Sequence, residues 1–85
     1  MDKANPILKA TFLEVVENQI RDNDPLEARV TLERLTGEGM SEDEAKLYIA
    51  SAVCVEIWDT MANKRPFDQA RYVRNLRNLP EEPHV

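Results

Sequence analysis

The stretch from Ser41 to about Asn63 constrains the fold most strongly, because it is long, largely apolar and spaced like a helix. Its centre, Ile49–Val55, contains only one polar side chain, that of Ser51. Ser41 and Glu44 have the spacing of a capping box, in which each side chain bonds the backbone amide of the other residue. The stretch therefore predicts the central helix of a small helical bundle.

This central helix has two sides that differ in polarity. At about 100° per residue, one broad face gathers Leu47, Ala50, Cys54, Ile57, Trp58 and Met61. We expect this face to lie in the core. Glu56, Asp59 and Thr60 share the opposite arc, which we expect to face water or a partner.

Proline and capping residues divide the rest of the chain into three further helices. A residue that precedes proline disfavours helical geometry, so helices should end before Asp24 and Arg65. Asn5, Asp24 and Asp68 are suitable N-caps. The predicted helices span residues 6–21, 25–36, 41–63 and 68–79. We expect an all-α, small four-helix bundle-like domain over residues 1–80 with a long central third helix, followed by a short disordered tail at 81–85.

Composition indicates a soluble, cytoplasmic protein. Charged residues make up 32 % of the chain and apolar residues 42 %, as in globular domains. The longest apolar run falls far short of the ~20 residues of a membrane span, and the N-terminus does not resemble a secretory signal. The single cysteine cannot form an internal disulfide.

Catalytic and cofactor-binding patterns are missing from the sequence, so we expect a non-enzymatic protein without cofactors. The only histidine, His84, lies in the tail, and Cys54 lies on the apolar helix face far from any base. No glycine-rich phosphate loop follows a strand pattern. A carboxylate metal site in the bundle is a further alternative, with Glu14, Glu17, Glu56 and Asp59 as its candidate residues. Such sites also use Glu-x-x-His motifs, which this chain lacks.

The last helix is basic although the whole chain has a net charge of −5. Arg71, Arg74 and Arg77 recur at three-residue spacing, which places them on one face opposite Tyr72 and Leu76. They either neutralise the acidic body of the protein or bind RNA or an acidic protein. Nucleic acid is the less favoured partner, because no aromatic residue is interleaved to stack on bases.

Four short helices offer too few neighbours to cover all the apolar side chains of this chain. The residues that we expect at an interface are Tyr48, Val55 and Trp58 of the central helix and Leu26 and Val30 of the second helix. The sequence thus favours a protein–protein interaction module, with a homodimer as the simplest assembly. Alternatively, Trp58 completes the core of a monomer.

Four segments carry a resemblance to known proteins: Glu17–Glu27, Thr31–Leu35, Gly39–Ala45 and Arg65–Tyr72. In these segments the chain resembles a widespread group of small, uncharacterised bacterial proteins that share a domain of unknown function. The resemblance implies a bacterial, all-helical and cytosolic module. It carries no catalytic residue across to this chain.

Overall fold

Four helices account for most of the described part of the chain. The computed structural model describes residues 6–84, and their side chains from Ala10 onward. The helices are α1 (Pro6–Asp22), α2 (Leu26–Gly37), α3 (Glu42–Asn63) and α4 (Gln69–Asn78), and these residues contain no strand. The all-α class and the long third helix are therefore confirmed, and every described boundary lies within one residue of its prediction. The predicted Asn5 cap and the last tail residue, Val85, lie outside the described residues.

Side-chain caps fix the starts of α3 and α4 as predicted. The Glu44 amide donates to Ser41 Oγ at 3.0 Å, and the Arg71 amide donates to Asp68 Oδ1 at 3.0 Å. The predicted Asp24 cap of α2 is wrong. Pro25 takes the N-cap position in an extended conformation without a side-chain cap, so α2 begins one residue later than expected.

The core lies where α2 and α3 meet each other and the remaining two helices. Its largest fully buried apolar side chains come from all four helices and the residue that follows α4: Val16, Leu35, Ile49, Val53, Tyr72, Leu76 and Leu79. The phenol of Tyr72 donates to Gln19 Oε1, so its polar end is bonded inside the protein. Burial among apolar groups raises the pKa of this phenol.

The side of α3 that faces this core is not the predicted one. Its buried residues are Ala45, Ile49, Ala50, Ala52, Val53, Glu56 and Asp59. Of the six residues predicted for the buried face, Leu47, Cys54, Trp58 and Met61 are exposed. Glu56 and Asp59, predicted to face water, are 0 % and 1 % exposed. The helix is thus rotated by about half a turn from our expectation.

Residues 81–84, for which the sequence predicts disorder, make contacts with the end of the bundle. The Glu81 amide donates to Asn78 O at 2.9 Å, and the buried Asn75 donates from Nδ2 to His84 O at 3.1 Å. Pro83 is half-buried. No helix within residues 6–84 has the length and apolar character needed to cross a membrane.

Candidate interaction surface

A buried ion-pair network explains why α3 turns its carboxylates inward. Arg71 of α4 donates to Glu56 through Nε at 2.7 Å and through Nη2 at 2.8 Å, a two-point contact between guanidinium and carboxylate. The backbone amide of Asp68 also donates to Glu56 Oε1 at 3.0 Å. Glu56 therefore accepts three hydrogen bonds, which compensate for its removal from water.

Asp59, one turn further along α3, is held in the same network. Its Oδ2 accepts from Arg71 Nη2 at 2.8 Å, its Oδ1 accepts from Asn63 Nδ2 at 2.7 Å, and Arg65 lies at 4.0 Å. The Asn63 hydrogen bond and then the Arg71 hydrogen bond hold the pKa of Asp59 below its usual value. Asp59 is thus favoured as a carboxylate inside the protein.

Arg71 therefore does not belong to the exposed basic face predicted for α4, and that part of the prediction is wrong. The two carboxylates raise the pKa of its guanidinium further, with the Glu56 hydrogen bond as the largest cause. Only Arg74 and Arg77 of the predicted patch remain exposed. Of the two explanations for the basic helix, internal neutralisation holds for Arg71.

Acid should destabilise the protein partly through Asp59. Because its pKa is lowered by folding, its stabilising contribution is present above the unfolded value of about 3.9 and is lost as the pH falls through the folded value. We expect the free energy of unfolding of Asp59→Asn to fall less than that of the wild type between about pH 6 and pH 2.5. Urea unfolding at both pH values measures this difference, with exposed Asp43→Asn as the control. Equal losses in Asp59→Asn and the wild type would contradict the assignment.

Lys46 is the third charged residue of α3 beyond its first turn, in addition to Glu56 and Asp59. It also lies away from the side of α3 that is opposite the core. Lys46 Nζ donates to Glu17 Oε2 of α1 at 2.8 Å, and its side chain is 14 % exposed. This contact with α1 raises the pKa of the Lys46 ammonium. All the charged side chains of α3 between Lys46 and Asn63 therefore point into the bundle or along its flank.

The outer side of α3 is correspondingly apolar. We name it the back face; its residues are Leu47, Ser51, Cys54, Val55, Trp58 and Met61. They recur at intervals of three and four, so they share one side of the helix, opposite the buried residues. Leu47 is 41 % exposed, Trp58 57 % and Met61 75 %. No charged residue interrupts this face over about 21 Å, the rise of 14 helical residues.

Apart from Trp58, the predicted interface residues lie in different places. Val55 is a half-buried residue of the back face, and Tyr48 is half-buried beside it. Leu26 and Val30 are exposed but line a separate cleft of about 220 Å³ between α2 and α4, together with Arg34 and Arg77. The structure therefore divides the predicted set between two surfaces.

The predicted chemistry-bearing residues do not come together. Glu56 and Asp59 are enclosed with Arg71, whereas Glu14 and Glu17 are exposed on α1. Among residues 6–84 no three His, Cys, Asp or Glu side chains are placed to hold a metal ion. The four residues predicted for a carboxylate metal site therefore do not form one cluster in this structure. Cys54, which we expected in the core, is a free thiol on the back face.

One end of the back face is bordered by the C-terminal tail. Pro80, Glu82 and Pro83 stand opposite Leu47 and Tyr48 and enclose an open cleft of about 340 Å³. The tail lies alongside α3 and leaves Leu47 partly exposed to solvent. Ser51 lines the same cleft, whereas Cys54, Trp58 and Met61 do not, so the tail borders the Leu47 end of the back face.

Comparisons with protein-family models, with curated proteins and with solved structures found no match. The resemblance to uncharacterised bacterial proteins thus stays a prediction.

Sequence reasoning found Trp58 as an interface candidate but missed Met61 and Leu47 as its exposed companions. The sequence did contain a signal for the correct buried face. Ala45, Ile49 and Ala52 form a second apolar stripe on α3, which is as continuous as the stripe that we predicted to be buried. Its small residues allow neighbouring helices to approach closely. The stripe with Leu47, Trp58 and Met61 has longer apolar side chains, and for that reason it was wrongly predicted to be buried.

Proposed function

We propose that this protein is a non-enzymatic protein–protein interaction module that forms a homodimer through the back face of α3. One observation carries the proposal: α3 exposes Leu47, Trp58 and Met61 while it buries its own Glu56 and Asp59. Contiguous apolar surface of this kind is uncommon on soluble monomers. A bacterial, cytoplasmic setting belongs to the same proposal.

A second copy of the chain is the occupant that the back face fits best. Two-fold symmetry lets one surface cover itself, so each copy removes the apolar side chains of the other from water. Trp58 lies in the C-terminal half of the back face, and tryptophan is enriched among the residues that contribute most to binding energy. The inner side of α3 is held by the core and by the Arg71 network, so its outer side is formed before a partner binds. A preformed surface loses little conformational entropy on association.

Sedimentation equilibrium at micromolar to tens of micromolar concentration tests this proposal. We expect a mass that rises toward twice the 9.8 kDa of one chain. Trp58→Ser should raise the dimer Kd by about 30-fold or more, the effect of losing a dominant interface residue. Circular dichroism should show unchanged helix content, because the substituted side chain is exposed.

Leu26→Ser is a matched control, because Leu26 is 56 % exposed and Trp58 is 57 % exposed. It lies on α2, away from the back face, and should leave the Kd unchanged. A wild-type mass that stays at one chain throughout would contradict the proposal. So would dissociation by Leu26→Ser to the same extent as by Trp58→Ser.

A further inference from the structure

The distribution of charge at the two ends of the back face selects the orientation of the partner. We infer that two copies pack α3 against α3 in antiparallel orientation, with the two-fold axis passing near Ser51 and Cys54. This inference rests on the proposed dimer and specifies its geometry.

The ends of α3 carry opposite charges. Its first turn contains Glu42, Asp43 and Glu44, all exposed, and its last turn is followed by exposed Lys64 and Arg65. At three- and four-residue spacing, Glu44 continues the back-face stripe at one end. Lys64 takes the left-handed C-cap position at the other end, with φ of 55°. The apolar stripe is thus closed by acid at its start and by base just beyond its end.

Antiparallel packing pairs these ends favourably. The acidic first turn of each copy, with exposed Asp43 and Glu44, then lies beside Lys64 of the second copy, so opposite charges meet at both ends of the interface. Glu42 and Arg65 contribute less, because they contact Lys46 and Asp59 of their own chain. Parallel packing would place Asp43 and Glu44 beside the same two carboxylates of the second copy, and Lys64 beside Lys64. Like charges in close apposition disfavour association, and antiparallel helix dipoles add a smaller favourable contribution.

The sizes of the side chains fit the same arrangement. Ser51 and Cys54 are small and occupy the middle of the back face, whereas Leu47 and Trp58 are large and lie one turn beyond them on either side. Small residues at a crossing point let two helices approach closely. With the axis at this point, Leu47 of one copy packs beside Trp58 of the second copy, and both large side chains are covered.

The dimensions of the back face predict a reversible dimer. A contact about 21 Å long along one helix pair belongs to the smaller interfaces, which bury less than about 1,200 Å² in total. Such interfaces are typical of transient association. Because the dimer is reversible, two variants should exchange subunits after mixing. The mixed dimers then allow the orientation to be measured.

Cysteine cross-linking distinguishes the two orientations. One variant carries Glu44→Cys and Cys54→Ser, and a second carries Met61→Cys and Cys54→Ser. Along α3 these positions are 17 residues apart, or about 25 Å. Antiparallel packing around Ser51 and Cys54 brings position 44 of one copy to position 61 of the other. A thiol–thiol cross-linker much shorter than 25 Å should therefore join the two variants only after they are mixed.

The products separate the possible outcomes. Antiparallel packing predicts the mixed 44–61 product as the main species, with little product from either variant alone. Cross-linking of each variant to itself would indicate parallel packing and overturn the inference. Glu33→Cys with Cys54→Ser, exposed on α2, should give no product and controls for random collision.

Sedimentation of the same samples before cross-linking separates this inference from the proposed function. Dimers that cross-link in the parallel pattern would overturn the orientation and leave the dimer proposal intact. Monomers would overturn both. As a further arm, Lys64→Glu should weaken an antiparallel dimer by up to about fivefold at low salt, the size expected for an exposed ion pair. Exposed Arg74→Glu should leave the Kd unchanged.

Discussion

Arg71→Met should reduce the free energy of unfolding by about 3–5 kcal/mol, the largest effect that we expect from any single change in this protein. The substitution keeps an apolar stem of similar length but leaves Glu56 and Asp59 buried without their guanidinium. Carboxylates enclosed without a cation retain the cost of leaving water. For a chain of this size the melting temperature should fall by about 12 °C or more.

Urea unfolding followed by circular dichroism measures this effect. Arg74→Met is the matched control, because Arg74 lies on the same helix but is exposed. Its free energy of unfolding should stay within about 0.5 kcal/mol of the wild type. If Arg71→Met were as stable as Arg74→Met, the network of Arg71, Glu56 and Asp59 would not hold α3 in its observed orientation.

Ile49→Ala and Trp58→Ala should differ strongly in stability, although both remove a large apolar side chain from α3. Ile49 is fully buried, so its truncation leaves a cavity and should cost about 2–5 kcal/mol. Trp58 is mostly exposed, so its truncation should cost less than about 1 kcal/mol when the protein is dilute and monomeric. Urea unfolding well below one micromolar, where we expect the monomer, compares the two variants.

This comparison also discriminates between the two faces of α3. If the stripe that contains Trp58 formed the core, Trp58→Ala would cost about 3–5 kcal/mol, as a core tryptophan does. The reversed order, with Trp58→Ala the more destabilised variant, would therefore contradict the orientation described above.

Local sequence signals were sufficient to predict the four helices. The Asp24–Pro25 and Arg65–Pro66 steps interrupt the chain where helices end, and Ser41 caps α3 as expected. These signals act over a few residues and do not depend on tertiary structure. The class and the boundaries could therefore be predicted well.

The orientation of α3 could not be predicted from periodicity, because both of its sides carry continuous apolar residues. What decides between them is the contact of Glu56 and Asp59 with Arg71, which is 15 and 12 residues away in sequence. A carboxylate is placed on the surface by default, and only a specific cation in the fold makes its burial favourable. For the same reason, most residues of the back face were wrongly predicted to lie in the core.

Fluorescence of the single tryptophan tests the dimer most directly, because Trp58 is the only reporter and lies within the back face. On dilution from tens of micromolar to well below one micromolar, we expect Trp58 emission to shift to longer wavelength as the side chain returns to water. Accessibility to a neutral quencher should rise over the same range, with no change in helix content. An emission spectrum and a quenching constant that stay constant throughout would contradict a dimer formed through the back face.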